Sequence, residues 1–194
     1  MTIIQITGPA AEPLTAADVK EHLHIDSAVT DEGFDEWIKA AREEAEQLTG
    51  RSLITQTWEQ VLHGFPPGSI ALGWPPVIAI TSIKYIDEAG AEQTLDASHY
   101  TLDEVTVPGH VGPSVAYPTW PSTQAGRVNA VRVRFTAGYG ATAAAVPYAI
   151  KQWMLQRIGT MEAVRAEIVT GVSLSTVDPR YTLGLLDRYR VWGV

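Results

Sequence analysis

The apolar positions of this chain keep a helical period towards its two ends and a strand period between them. Phe34, Trp37, Ile38, Ala41, Ala45 and Leu48 recur at i, i+3, i+4, i+7, i+11 and i+14, which puts all six on one stripe of an α-helix. Asp31 is the expected N-cap of that helix and Gly50 its stop. Upstream, Thr15 as an N-cap with Asp18 at the third helical position predicts a short helix to about Leu23. Residues 1–13 read as an irregular or strand-like arm ending at Pro13. Near the other end, Pro147 stands where a helix tolerates proline, in its first turn, and opens a helix to about Ala166. Ile150, Trp153, Met154, Ile158 and Met161 form its apolar stripe. A polar connector over 169–179 and a short helix near Tyr181 to Tyr189 complete this end.

From Arg51 the period shortens. Ile54 to Leu62 is rich in Thr, Trp and Val and predicts a strand, as do Ser69 to Leu72, Val77 to Asp87, Glu92 to Leu95 and Tyr100 to Leu102. Glu88-Ala89-Gly90 is a hairpin turn. Residues 103–128, broken by Pro108, Pro113, Pro118 and Pro121, read mostly as loop. Asn129 to Ala137 then alternates cleanly, with Val131, Val133 and Phe135 on one face and Arg132 and Arg134 on the other. The fold class is therefore α+β: helices at both ends of the chain, packed together, with an antiparallel β-rich middle section. One domain is expected over 1–194, with helical parts at about 12–50 and 147–190 and the β-rich section at about 51–146.

Composition adds exclusions. Hydrophobic content of 45% in 194 residues supports a sizeable core without metal or disulfide. The chain has no cysteine, which excludes disulfide scaffolds, thiolate zinc sites and cysteine nucleophiles. No basic segment followed by an apolar run opens the sequence, and no apolar stretch approaches the ~20 residues that span a bilayer, so a soluble, cytoplasmic protein is expected. The net charge of −8 is uneven. Residues 1–50 carry 11 acidic and 3 basic side chains, whereas 127–194 carry 4 and 9. Either the two ends neutralise each other within one subunit, or the acidic end of one subunit faces the basic end of the next.

Catalytic chemistry is not legible. His22 and His24 are two apart and face different sides of a helix, unlike a zinc-binding i, i+4 pair. His63, His99 and His110 lie in expected loops with no carboxylate at ligand spacing. Gly138-Tyr139-Gly140 lacks both the third glycine of a dinucleotide fingerprint and the Gly-Lys-Ser/Thr of a P-loop. An enzyme, a metal and a cofactor are not expected. Trp74, Tyr117 and Trp120 stand in loops beside prolines, where they either cap the core or anchor a protein interface. Tyr189, Arg190 and Trp192 make the tail a candidate docking peptide. Arg132 and Arg134, with Arg127 nearby, are a solvent face, an inter-subunit ion-pair site or a contact to nucleic acid. Glu43, Glu44 and Glu46 are a candidate acidic interface or lumen face, unless they are simply solvated.

The segments LTAADVKEHLHID (14–26), LTGRSLITQTWE (48–59), SIKYID (82–87) and AVRVRFTAGYG (130–140) occur in an order that resembles the phage head–tail connector, or adaptor, family. Trp74-Pro75-Pro76-Val77, Gln93-Thr94-Leu95-Asp96, Trp120-Pro121-Ser122-Thr123 and Val146-Pro147 extend the likeness over about residues 14–155. The resemblance implies a virion structural protein that forms a ring beneath the portal, twelve-fold when assembled, extending the DNA channel and joining head to tail. Its implied partners are the portal protein, the next tail or stopper protein and other copies of itself. DNA would pass through without sequence-specific binding, and no membrane is involved. The implied location is the neck of a phage, prophage or gene transfer particle, and the bacterial host cytoplasm during assembly. Isolated subunits are expected to stay monomeric until a portal templates the ring. The alternative is a stand-alone protein-binding module that recognises its partner through proline-rich β loops without ring assembly.

Overall fold

The computed structural model describes residues 1–31, 33–163 and 179–192. Helix α1, Ala16–Leu23, begins with a reciprocal cap in which Thr15 Oγ1 accepts from the Asp18 N–H and the Asp18 carboxylate accepts from the Thr15 N–H. Helix α2, Phe34–Thr49, buries Phe34, Ile38, Ala41 and Ala45, the predicted stripe, and ends at Gly50 with φ 68°. Its N-cap is Gly33, not Asp31. The Asp31 carboxylate pairs with Lys20 instead, and only its carbonyl accepts from Phe34. Helix α3, Tyr148–Ala163, packs against α2, and α4, Pro179–Asp187, packs against α3. The predicted connector over 169–179 falls almost wholly outside the described residues, as does the stretch after Ala163.

Among the described residues eight strands make two antiparallel sheets. They are β1 (Thr2–Thr7), β2 (Gln56–Leu62), β3 (Ile70–Ala71), β4 (Val77–Ile86), β5 (Glu92–Thr94), β6 (Tyr100–Asp103), β7 (His110–Pro113) and β8 (Val131–Ala137). The larger sheet has the order β1-β2-β8-β4-β5 and the smaller β3-β7-β6. Strand β8 is central because it pairs in full with both neighbours, Phe135 standing opposite Trp58 on β2 and Ile80 on β4. Its alternation survives intact: Val131, Val133, Phe135 and Ala137 are buried and Arg132 is exposed.

Two departures from expectation have simple causes. The chain does not begin with helix: β1 joins the large sheet beside β2, with Thr2 opposite Val61 and Gln5 opposite Trp58. As an edge strand it leaves most of its residues exposed on both faces, so no period marks it. Strand β7 lies inside the presumed proline-rich loop, because Pro113 occupies only its last position, opposite Tyr100.

The core divides in two. One cluster joins the helices through Val19, Ile38, Leu53, Ile54, Ile150, Met154, Ile158 and Leu186. The other lies between the sheets and holds Trp58, Ile70, Leu72, Ile83, Val111, Val133 and Phe135. Backbone close to Gly138 ties the halves. The Gly138 N–H donates to Pro76 O, Tyr139 N–H to Leu53 O, and Thr55 N–H to Gly140 O. A Cβ on Gly138 would sit 2.6 Å from the Ile54 carbonyl, and its φ of 141° favours glycine besides. The Gly-Tyr-Gly turn is thus a close backbone crossing between helical and β halves.

Candidate interaction surfaces

A polar joint sits where helix meets sheet. Glu46 on α2 is buried; its Oε1 accepts from the Leu53 N–H at 2.9 Å and from Gln56, and its Oε2 accepts from Arg42 at 2.7 Å. Arg42, also buried, donates from Nε to Glu12 at 2.8 Å and reaches Glu43 at 3.4 Å. Gln56 in turn accepts from Gln5 of β1. Burial pushes the Glu46 carboxyl above its ordinary value, although Leu53, Arg42 and Gln56 all favour the ionised form. Burial alone would depress Arg42, but Glu46 and Glu12 hold it above its usual value. Glu46 therefore does not belong to an exposed acidic face: its carboxylate is spent on satisfying α2, β2 and the buried guanidinium. Glu43 is exposed, and Glu44 pairs with Arg157 of α3 at 2.6 Å.

Loop aromatics divide into two sets. Trp74 is half-buried and stacks on Trp58 with ring centroids 4.8 Å apart and planes 2° from parallel, so it extends the inter-sheet core. Trp120 stacks on Phe65 at 4.7 Å, and its indole N–H donates to Gly68 O at 2.6 Å. This pair lies in an open groove of about 840 Å³ that is walled by Pro67, Pro113, Pro118 and Pro121, with Glu88 its one charged side chain. Val115, fully exposed, stands on the groove wall. Tyr117, in the same loop, stacks on His99 at 3.7 Å. Sequence reasoning found Trp120 but not the groove, because its walls come from segments about 50 residues apart.

Arg132 and Arg134 stand on the face of β8 opposite the buried Val131, Val133 and Phe135. Arg134 donates from Nε and Nη2 to Glu59 Oε2 on β2 at 3.0 and 2.7 Å. Arg132 approaches Glu92 on β5 at 3.7 Å, and Lys84 donates to the same carboxylate at 3.0 Å. The Lys84 hydrogen bond, then the charges of Lys84 and Arg132, hold Glu92 below its ordinary value. Both arginines thus have carboxylate partners within the subunit, and this side is a charge ladder rather than a bare cationic patch.

The tail is partly tied down. The Val191 N–H donates to Thr49 O at 2.9 Å, and Arg51 donates to Tyr189 O. Arg190 lies 3.6 Å from Asp187 and 5.9 Å from the ring centre of Trp192. Trp192 itself remains 77% exposed. Tyr189 and Arg190 are therefore half-buried parts of the helical end, and only Trp192 projects. Of the histidines, His63 Nδ1 accepts from the Asn129 N–H and His110 contacts Ser69. Among the described residues no group of three or more His, Asp and Glu side chains is placed to hold a metal ion, and no helix is long and apolar enough to cross a membrane.

No protein-family model matches this chain, and no curated protein matches it significantly. Solved structures do. A chain from the neck of an empty gene transfer agent particle, computed with C6 symmetry, superposes with a TM-score of 0.81 at 22% identity, covering 100% of this chain and 97% of that one. A chain from the virion of a native gene transfer agent particle gives 0.80, and one from the neck of a native particle computed with C12 symmetry gives 0.78, with the same identity and coverage. At this identity the likeness shows a shared fold over the whole length.

Proposed function

We propose that this chain is a structural neck protein of a phage-like particle, a head–tail adaptor that forms a ring beneath the portal, extends the DNA channel and presents a platform to the next tail or stopper protein. The observation that carries the reading is the end-to-end likeness to chains of gene transfer agent necks, at a TM-score of 0.81 over 100% of this chain. The C6 and C12 symmetries of those necks support a ring of copies, twelve on the portal. The segments that resemble the connector family support the same role independently. In this reading the protein acts by shape: it has no reaction to perform, DNA passes through without base recognition, and the ring resides in the particle neck after assembly in the bacterial host cytoplasm. The acidic N-terminal and basic C-terminal parts suit neighbours that meet head to tail. Trp192 is the exposed anchor for the portal or a neighbouring subunit.

The proline-walled groove beside Trp120 favours a second reading, a stand-alone module that binds an extended segment of another protein. One experiment separates the two. Purified protein is mixed with a candidate portal protein and imaged by electron microscopy. A ring of added density coaxial with the portal is the expected result. A folded monomer that leaves the portal bare would reject the adaptor role and make the groove the next target.

A further inference from the structure

The large sheet is open at both margins, and the two margins are complementary. Strand β1 pairs with β2 on one side; on its other side its backbone makes no hydrogen bond among the described residues. Its six residues, Thr2-Ile3-Ile4-Gln5-Ile6-Thr7, contain no charge and no proline, and Ile4 and Ile6 are 46% and 43% exposed. Sheet edges are normally guarded by lysine, proline, bulges or short length, because a bare edge recruits another strand; β1 has one register shift, at Ile6, and over Thr2 to Gln5 it is regular. At the far margin, β5 pairs with β4 only at Lys84, Tyr85 and Ile86. The Leu95 N–H adds one bond to Ile83 O, and the chain then turns away into the short 3₁₀ turn capped by Asp96. Val77 to Ser82 of β4 are left with β8 on one side and no backbone partner on the other among the described residues. That stretch is also six residues long and uncharged, with Ile78 42% exposed.

Direction fits as well. Each neighbouring pair across β1-β2-β8-β4-β5 is antiparallel, so β1 runs opposite to β4 and parallel to β5. A second copy displaced sideways in the plane of the sheet would bring its β1 antiparallel into the vacant stretch, in line with β5. Following the bulges that β4 already shows against β8, Thr2 then falls beside Ser82 and Ile4 beside Ala79 on one face, with Ile3 beside Ile80 on the other. We propose that β1 of one subunit adds to the Val77–Ser82 edge of the next, so that the large sheet continues from copy to copy around the ring. This inference rests on the ring reading above. Donor and acceptor are different patches, so the contact is head to tail and propagates beyond a two-fold dimer, and the portal's rotational symmetry would close it into a ring. The bulges at Ile78 and Thr81 weaken the acceptor edge. Free subunits therefore stay apart, and the strand adds only where a portal holds neighbours at high effective concentration.

The natural absence of cysteine makes the test clean. The double variant Ile4→Cys with Ala79→Cys is assembled on the portal, the ring is checked by electron microscopy, and the sample is oxidised and run on a non-reducing gel. The expected result is a ladder of covalent oligomers from the double variant and monomer from each single variant. A covalent dimer from Ile4→Cys alone would overturn the proposal in favour of two β1 edges meeting. A ring without a ladder would overturn it while leaving the adaptor role intact, and wild-type protein that forms no ring removes both. As a second probe, Ile4→Lys places a charge on the free edge of β1. It is expected to abolish the ring while the melting temperature of the isolated chain is unchanged, and an intact ring would count against the proposal.

Discussion

Glu46 carries more of this molecule than its place among three glutamates suggests. It neutralises the buried Arg42 guanidinium, accepts the Leu53 N–H and holds Gln56, joining α2 to the start of β2. Glu46→Ala would leave Arg42 to Glu12 and Glu43 and strip the Leu53 N–H and Gln56 of their acceptor; it is expected to cost about 1–3 kcal/mol in denaturant unfolding, whereas Glu46→Gln, which keeps an acceptor, should cost less. A double-mutant cycle with Arg42→Met checks this, since it separates the Arg42 pair from the two other bonds. Burial raises the Glu46 carboxyl, so the folded state binds that proton more readily than the unfolded chain. Its own contribution to stability is therefore present below the ordinary value of 4.5 and is lost as pH rises through the folded value. The turn carboxylate Asp87 has the opposite sign. Its bonds from Gln93 and the Ala91 N–H hold it below 3.8. Stability from Asp87 is present above 3.8 and lost as pH falls through its folded value. Melting curves of Asp87→Ala should converge on wild type at the acid end and lie below it at neutral pH.

At the scale of elements, the tail separates structure from docking. Removing 192–194 takes away the exposed Trp192 and leaves the Val191–Thr49 and Arg51–Tyr189 bonds in place. This truncation should lose portal attachment with little change in melting temperature. Removing 189–194 also deletes those two bonds and should lower stability by about 1–3 kcal/mol, since each net hydrogen bond contributes about 1 kcal/mol. Calorimetry on the two truncations, beside a portal pull-down, checks both halves. Equal attachment by wild type and the shorter deletion would show that Trp192 is not the anchor. Helix α2 and strand β8 were legible because each buries a full stripe of one period, from Phe34 to Ala45 and from Val131 to Ala137. Strand β1 was legible only as an irregular or strand-like arm, because an edge strand exposed on both faces has no period to read.

For the whole molecule the issue is charge. The acidic and basic ends of the chain meet in part within one subunit, as the Glu44–Arg157 pair shows. Glu43 is exposed and only grazes Arg42, so Glu43→Lys tests charge between subunits without breaking the α2–α3 contact. If the acidic helix faces a basic neighbour, this variant should assemble less well, most clearly at low salt, because screening over a Debye length of about 10 Å at 0.1 M weakens any such contact. Ring formation counted in micrographs across a salt series is the measurement. Assembly equal to wild type at every salt would leave Glu43 as a solvated side chain.

The sequence by itself determined the α+β class, the stripes of α2 and α3, the alternation of β8 and the order of segments that resembles the connector family. These are local patterns, written by the period at which side chains meet one core. Only the tertiary structure decided that Glu46 is buried, that Trp74 belongs to the core beside Trp58, that Trp120 floors a groove, and that β1 and the Val77–Ser82 edge lie at opposite margins of one sheet. Each of these depends on residues far apart in the chain meeting in space. A carboxylate or an indole has the same local pattern whether it faces solvent or a partner 10 or 50 residues away.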